Sequence, residues 1–161
     1  MKKAFSSRGF TLIELLVVVA IIAILSATIL VALNSARLKA KDAKVVSEMS
    51  DLRAQMELYY NSNDGYASST VTDCNSGPFQ TGTDNASTLI NGIAADAGAG
   101  GFYGMECAAN SGAWAVAVWL PSNHTNGWCV DSNGDSKSGY NPNPGSTFSP
   151  INAMSSSYQC L

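Results

Sequence analysis

Glu14 is the residue whose position points most clearly to a function. It is the only charged residue in an apolar run of 24 residues at positions 10–33. A carboxylate inside a bilayer is costly, so an ionisable residue in such a segment marks a functional site and needs a partner. A terminal ammonium group would be the nearest partner of that kind. We therefore expect Glu14 to form an ion pair, and the alternative is a side chain that snorkels to the lipid headgroups.

Four cysteines form a second group of residues with chemical potential. They are Cys74, Cys107, Cys129 and Cys160. An even number of cysteines is typical of disulfides in an oxidising compartment, and four allow three connectivities between which the sequence cannot choose. A zinc site would need closer spacing, whereas these cysteines are 33, 22 and 31 residues apart and the chain has a single histidine, His124. The pattern therefore predicts two disulfides and no zinc site.

The segment at positions 131–135 begins like a calcium loop. Its oxygen-bearing residues Asp131, Asn133 and Asp135 have the spacing of an EF-hand. However, serine stands at the sixth position, where that loop requires glycine, and proline stands at the twelfth, where it requires a bidentate glutamate. Asn-Gly followed by Asp is also a strong turn signal. We interpret the segment as a hairpin turn and keep its three oxygen-bearing residues as a weak calcium candidate.

No arrangement in the sequence is typical of an enzyme. The single histidine lies in a polar loop, and the cysteines are expected to pair, so the usual combinations of nucleophile and base are not predicted. The glycine-rich segment 98–104 misses the dinucleotide-binding pattern because Tyr103 occupies the place of the last required glycine. We expect no catalytic residue and no cofactor.

The composition is typical of an exported structural protein. Only 13% of the residues are charged and the formal net charge is −3, whereas ordinary soluble domains carry about 25% charged residues. One basic cluster follows the apolar run, and its members are Arg37, Lys39, Lys41 and Lys44. We interpret this cluster as a collar at the lipid headgroups, or as charge that keeps the following helix solvated. Contact with DNA, which requires clustered charge of this kind, is the minority alternative.

A long helix is expected to position these residues. Positions 10–33 would span about 36 Å as a helix, enough for a hydrocarbon core of about 30 Å, so one transmembrane span is predicted. Beyond it, apolar residues recur at steps of four and three, at Val45, Met49, Leu52, Met56 and Tyr59. This periodicity predicts an amphipathic helix that continues outward to positions 61–65, where Asn, Asp and Gly supply a stop signal.

The rest of the chain predicts a small antiparallel sheet. Residues 113–120 alternate small with large side chains, and residues 127–130 follow after a loop, which is typical of a hairpin. A third strand is expected at residues 137–140. Residues 70–104 are interpreted as a surface loop that contains a weak helix candidate at 86–96. The apolar face of a sheet needs a cover, so the amphipathic helix should pack on it and the fold class is α+β.

The N-terminal sequence resembles a known protein family. A basic stretch at positions 1–8 precedes the run Gly-Phe-Thr-Leu-Ile-Glu at positions 9–14 and the remaining apolar residues. This arrangement resembles the class III leader and N-terminal helix of type IV pilins and pseudopilins. The resemblance implies that a prepilin peptidase cuts between Gly9 and Phe10 and methylates the new amino group of Phe10. Glu14 would then pair with the N-terminus of a neighbouring subunit.

The resemblance also implies a plan for the whole chain. Residues 1–9 would be the leader, 10–33 the transmembrane and filament-core helix, 34–61 its amphipathic outer half, and 62–161 a β-rich head. The family's helix would pack on a small antiparallel sheet in that head, which is the same α+β architecture.

A disulfide pairing follows from the same resemblance. A disulfide often closes a loop near the C-terminal end of these proteins, which implies a pair between Cys129 and Cys160 and, with it, a pair between Cys74 and Cys107. Some pseudopilins bind calcium in their C-terminal part, which keeps the turn at 131–135 a candidate.

The implied function is structural. We expect a subunit that assembles with identical copies into a type IV pilus-like filament, with the help of an inner-membrane machine and its ATPase. The protein would span the inner membrane once before assembly, and would then belong to an extracellular pilus or a periplasmic pseudopilus. The alternatives are a type II secretion system pseudopilin, and a minor pilin that acts as an adhesin or a DNA-binding competence pilin through aromatic residues such as Trp114, Trp119 and Trp128.

Overall fold

The computed structural model describes residues 9–80, 85–98 and 104–140, together with Cys160. Its longest element is α1, Leu12–Asn63, a continuous helix of 52 residues. The chain divides into two compact units between Arg37 and Leu38. Among the described residues, the first unit consists of the start of α1. The second unit contains the remainder of α1, a second helix and a sheet.

The predicted apolar stripe of α1 lies in the core of the second unit. Val45, Met49, Leu52 and Met56 are fully buried, whereas Tyr59, the last predicted member, is only half-buried. Steps of four and three residues place these side chains on one face of a helix. The amphipathic interpretation is confirmed for this part of α1.

α1 ends at the predicted stop signal. Asp64 has a φ of 56° and Gly65 a φ of 154°, and both values lie in the region that favours glycine. A Cβ atom on Gly65 would come within 3.2 Å of the Ser111 carbonyl oxygen. The Tyr66 N–H donates to the same oxygen at 3.3 Å, so the chain leaves the helix by passing close to the backbone at Ser111.

Four antiparallel strands form the sheet, and they are β1, Met105–Ala109; β2, Trp114–Leu120; β3, Asn123–Asp131; and β4, Ser136–Tyr140. β2 and β3 are the predicted hairpin, and β4 occupies the place of the predicted third strand. The sequence does not predict β1, because Met-Glu-Cys-Ala-Ala contains none of the β-branched or aromatic residues that favour strands. With the long helix packed against this sheet, the α+β fold class is confirmed.

Alternation along β2 gives the sheet two different faces. Trp114, Val116 and Val118 are fully buried in the same core as the α1 stripe. The alanines between them belong to a separate buried cluster, whose members are Ala108, Ala115, Ala117, Cys129 and Cys160. Because side chains on this second face are small, the backbone at Cys160 can lie close to the sheet.

The segment at positions 70–104 contains more than the expected surface loop. At the place of the weak helix candidate it forms α2, Asn85–Asp96. Ile90 and Ile93 of α2 are fully buried in the core. The helix candidate is therefore confirmed, but its buried residues place it in the core and not in a surface loop. Its buried face also includes two alanines, Ala86 and Ala94, which give only a weak apolar signal in a sequence but pack closely in a fold.

Candidate functional site

The start of α1 holds Glu14 in a defined position. Thr11 precedes the helix, and its backbone N–H and its hydroxyl both donate to Oε2 of Glu14, at 2.9 Å each. The Glu14 N–H donates in return to the Thr11 hydroxyl oxygen at 3.3 Å. This reciprocal arrangement is a capping box, which satisfies backbone donors that the start of a helix leaves without partners. Thr11 therefore fixes where the carboxylate lies.

Thr11 is a further site residue, which is not among those predicted from the sequence. Its signal is present, because Thr-x-x-Glu directly before an apolar run is the pattern of a capping box. Both Thr11 contacts use the same oxygen of Glu14, and no other described residue donates a hydrogen bond to that carboxylate. One oxygen thus caps the protein's own helix while the other is available to a cation.

The expected cleavage point lies immediately before this cap. Gly9 and Phe10 precede α1 and are exposed, and the Phe10 side chain is 81% exposed. A peptide bond outside regular secondary structure, between exposed residues, is sterically open to a peptidase.

The apolar side chains of the first unit form no core of their own. Every described large apolar residue in it is exposed, from 81% at Phe10 to 44% at Leu33. An 18-residue window of α1 reaches a mean hydropathy of 3.1, and none of that window is buried. By length and composition, this helix can cross a membrane. A continuous apolar surface of this kind marks a region that lipid or another protein covers.

One member of the basic cluster has charged partners within the protein. Lys44 donates a hydrogen bond to Asp96 of α2 and lies 3.4 Å from a Glu48 carboxylate oxygen. The Asp96 hydrogen bond, followed by the charge of Glu48, raises the pKa of Lys44 above its usual value. Lys44 therefore connects α1 to α2. The other three members of the cluster are exposed.

The turn between β3 and β4 is built around the carboxylate of Asp131, which is fully buried. Its Oδ1 accepts the backbone N–H groups of Asn133 and Asp135 at 2.9 and 3.0 Å. Its Oδ2 accepts the backbone N–H of Cys160 at 2.8 Å. Both oxygens of this weak calcium candidate are therefore occupied by the protein's own backbone.

The neighbouring residues also use their polar groups within the protein. Asp135 lies 3.2 Å from the Lys137 ammonium, and its carbonyl oxygen accepts a hydrogen bond from Arg53 of α1 at 2.6 Å. Within the described ranges, no group of three or more His, Cys, Asp or Glu residues lies close enough to hold a metal ion. To bind calcium, Asp131 would have to exchange its backbone hydrogen bonds for the cation.

Two disulfides join the four cysteines, and each belongs to a different buried cluster. The bond between Cys74 and Cys107, with an S–S distance of 2.04 Å, links the chain after α1 to β1 in the main core. The bond between Cys129 and Cys160, at 2.12 Å, lies in the cluster of small residues on the other face of the sheet. These are the pairs that the family resemblance implies.

The aromatic residues proposed for adhesion or DNA binding are unequally accessible. Trp114 is fully buried and lies edge-on to Tyr66, with ring centroids 6.4 Å apart. Trp119 and Trp128 are half-buried. Trp114 is therefore a core residue and cannot contact an external ligand in this fold.

Comparisons with known proteins agree with the features of the N-terminal segment. The family described as the prokaryotic N-terminal methylation motif matches residues 5–30. The type IV wide pilus major component PilA4 of Thermus thermophilus is 44% identical over 63 residues, which cover 39% of this chain and 48% of that protein. The match thus spans about half the length of this curated relative. No solved structure matches the chain significantly. Residues 5–30 thus carry the prokaryotic N-terminal methylation motif, and part of the chain is similar to a type IV pilus component.

Proposed function

We propose that this protein is a structural subunit of a type IV pilus-like filament. The observation that carries the proposal is the start of α1, where a capping box holds a carboxylate at the head of an exposed apolar helix. The methylation motif matched at residues 5–30 supports processing at this end of the helix.

Before assembly, the apolar part of α1 anchors the protein in the inner membrane. Backbone polar groups of a helix are satisfied internally, so only the side chains meet the lipid. In the filament, the same apolar surface contacts the helices of neighbouring copies. The anchor and the assembly interface are thus the same surface in two environments.

Processing supplies the partner that Glu14 needs. A prepilin peptidase cuts between Gly9 and Phe10, and the new amino group of Phe10 carries a positive charge after methylation. The free oxygen of Glu14 forms an ion pair with this amino group on a neighbouring subunit. The carboxylate is then no longer unpaired in an apolar environment. The ion pair therefore favours one axial position of the incoming subunit over others.

Two substitutions of Glu14 distinguish the effect of its charge from the effect of its helix cap. Glu14→Gln keeps the capping box, since glutamine serves in the same position of that motif, but it removes the charge. Glu14→Val removes both. We expect both variants to insert into the membrane and to lose filaments, as measured by membrane fractionation and by electron microscopy of material sheared from the cell surface. Mass spectrometry should find methylated Phe10 at the N-terminus of the wild-type subunit.

The outcomes distinguish the parts of the proposal. Normal filaments from Glu14→Gln would show that the charge is not needed for assembly. A wild-type chain that retains Met1 would contradict processing at Gly9.

The name of the relative favours a surface pilus over a pseudopilus. The protein from Thermus thermophilus is described as the major component of a wide pilus, and its similarity extends beyond the apolar run, since 63 residues align. A processed subunit that stays in the membrane fraction would instead favour the pseudopilin.

A further inference from the structure

The backbone of Cys160 is held by groups other than its disulfide. Its N–H donates to Oδ2 of Asp131 at 2.8 Å, and its carbonyl oxygen accepts a hydrogen bond from the Lys137 ammonium at 3.5 Å. Asp131 is fully buried and Cys160 is 4% exposed. Hydrogen bonds to a buried charged group are among the stronger ones in proteins. Cys160 therefore has a non-covalent binding site on the sheet.

This binding site lies beside the other half of the disulfide. Asp131 and Cys129 are two positions apart on β3, so their side chains lie on the same face of the sheet. They pair across the sheet with Ala115 and Ala117 of β2, whose small side chains leave space above them. A chain that docks on Asp131 thus places the thiol of Cys160 next to that of Cys129.

We propose that Asp131 is a positioning residue for oxidation, which docks the backbone of Cys160 before the disulfide forms. The two cysteines are 31 residues apart in sequence, and closing a loop of that length costs conformational entropy. When Cys160 docks on Asp131, the loop closes and its conformational entropy is lost before the covalent step. The inference concerns the folding of the second unit and does not depend on filament assembly.

The covalent step is a thiol–disulfide exchange with a small disulfide oxidant. The Cys129 thiolate attacks the oxidant, forms a mixed disulfide and releases one thiolate, which takes up a proton. The Cys160 thiolate then attacks the Cys129 sulfur, the protein disulfide forms and the second thiol leaves. The two cysteines lose two electrons and two protons, and the oxidant gains them. Only the second attack requires Cys160 to be in place.

Asparagine cannot reproduce the contacts of Asp131. Three backbone N–H groups converge on the two carboxylate oxygens, whereas asparagine offers one oxygen and an NH₂ group that can only donate. In one orientation Cys160 loses its acceptor, and in the other the turn that holds residue 131 loses two bonds. Asp131→Asn therefore weakens the docking site at almost constant volume.

The test measures the rate at which each disulfide closes in the full-length protein in detergent micelles. The reduced protein is mixed with glutathione disulfide, quenched by alkylation at successive times and analysed by mass spectrometry. Asp135→Asn is the matched control, because it removes a carboxylate of the same turn but keeps the backbone N–H that Asp131 binds and a side-chain oxygen that can accept from Lys137. The bond between Cys74 and Cys107, which lies in the other cluster, is the internal reference.

We expect Asp131→Asn to slow closure between Cys129 and Cys160 about tenfold or more, in proportion to a lost charged hydrogen bond, and the mixed disulfide on Cys129 to accumulate. Closure between Cys74 and Cys107 should keep its wild-type rate, and Asp135→Asn should leave both rates unchanged. Wild-type closure at Cys160 in Asp131→Asn would overturn the proposal. Equal slowing of both disulfides would overturn it as well, since Asp131 would then act on folding as a whole.

Discussion

The two units of this chain differ in whether their large apolar side chains are exposed or buried. In the first, every described large apolar side chain between Phe10 and Leu33 is exposed. In the second, the α1 stripe, α2 and one face of the sheet share a single core. Apolar burial is the main favourable contribution to folding. The second unit therefore derives its stability from its own sequence, whereas the first depends on whatever surrounds it.

The polar contacts divide in the same way. In the first unit they are local, as between Thr11 and Glu14, three residues apart. In the second, some polar contacts also join distant elements: the Arg53 side chain donates to the backbone carbonyl of Asp135, 82 residues further on. Substitutions should therefore have separable effects, confined to membrane insertion and assembly in the first unit and to cooperative unfolding in the second.

The largest effect is expected from Trp114→Ala. Removing this fully buried ring leaves a cavity in the core of the second unit, which should lower the free energy of unfolding by about 3–5 kcal/mol. Urea denaturation in detergent, followed by tryptophan fluorescence, measures this loss. Membrane insertion should be unchanged, because the first unit makes no use of this core.

Trp119→Ala is the matched control for this prediction. It removes the same side chain from the same strand, but from a half-buried position, so the loss should be clearly smaller. If Trp114→Ala failed to insert into membranes, the claim that substitutions in the two units have separable effects would be contradicted.

A smaller effect is expected from Thr11→Ala. Loss of an N-cap side chain costs about 1 kcal/mol of local helix stability. Hydrogen exchange in micelles should therefore quicken in the first turn of α1, while the unfolding midpoint of the second unit stays the same. Thr28→Ala is the control, since the Thr28 hydroxyl only donates to the Leu25 carbonyl within the helix. Equal exchange in both variants would argue against the capping box.

A further effect concerns pH. Burial, and then the hydrogen bond to Glu57, raise the pKa of Tyr66 from 10.0 to about 12. The folded protein keeps a proton that the unfolded chain releases, so this contribution to stability is fully present below pH 10 and is lost as the pH rises to about 12. Urea midpoints across this interval should fall more steeply for the wild type than for Tyr66→Phe. Parallel profiles for the two proteins would contradict a buried, neutral Tyr66.

Strong periodicity explains which elements could be predicted. The α1 stripe repeats every three or four residues, and β2 alternates large and small residues from Trp114 to Val118, so both patterns identify their elements from local sequence alone. β1 consists of residues that do not favour strands, so only its tertiary contacts decide its structure. α2 gives a helix candidate in the sequence, but its pattern does not reveal that it is buried in the core. Propensity and pattern carry no information on such contacts.

The candidate site shows the same limit. Glu14 stands out because it is a lone charge in an apolar run, and its contact with Thr11 is also local. Asp131 stands within a turn signal, but its role depends on Cys160, 29 residues away. The spacing of the cysteines likewise allows three pairings, and the faces of the folded sheet distinguish between them.

The strand order of the sheet has a kinetic consequence. Each strand pairs with the next one along the chain, in the order β1-β2-β3-β4, so most of its contacts have low sequence separation. Low contact order favours rapid folding. The sheet is therefore expected to form early as a local unit, and oxidation of Cys160 to follow it. The presence of that disulfide would then report that the strands beneath it have already assembled.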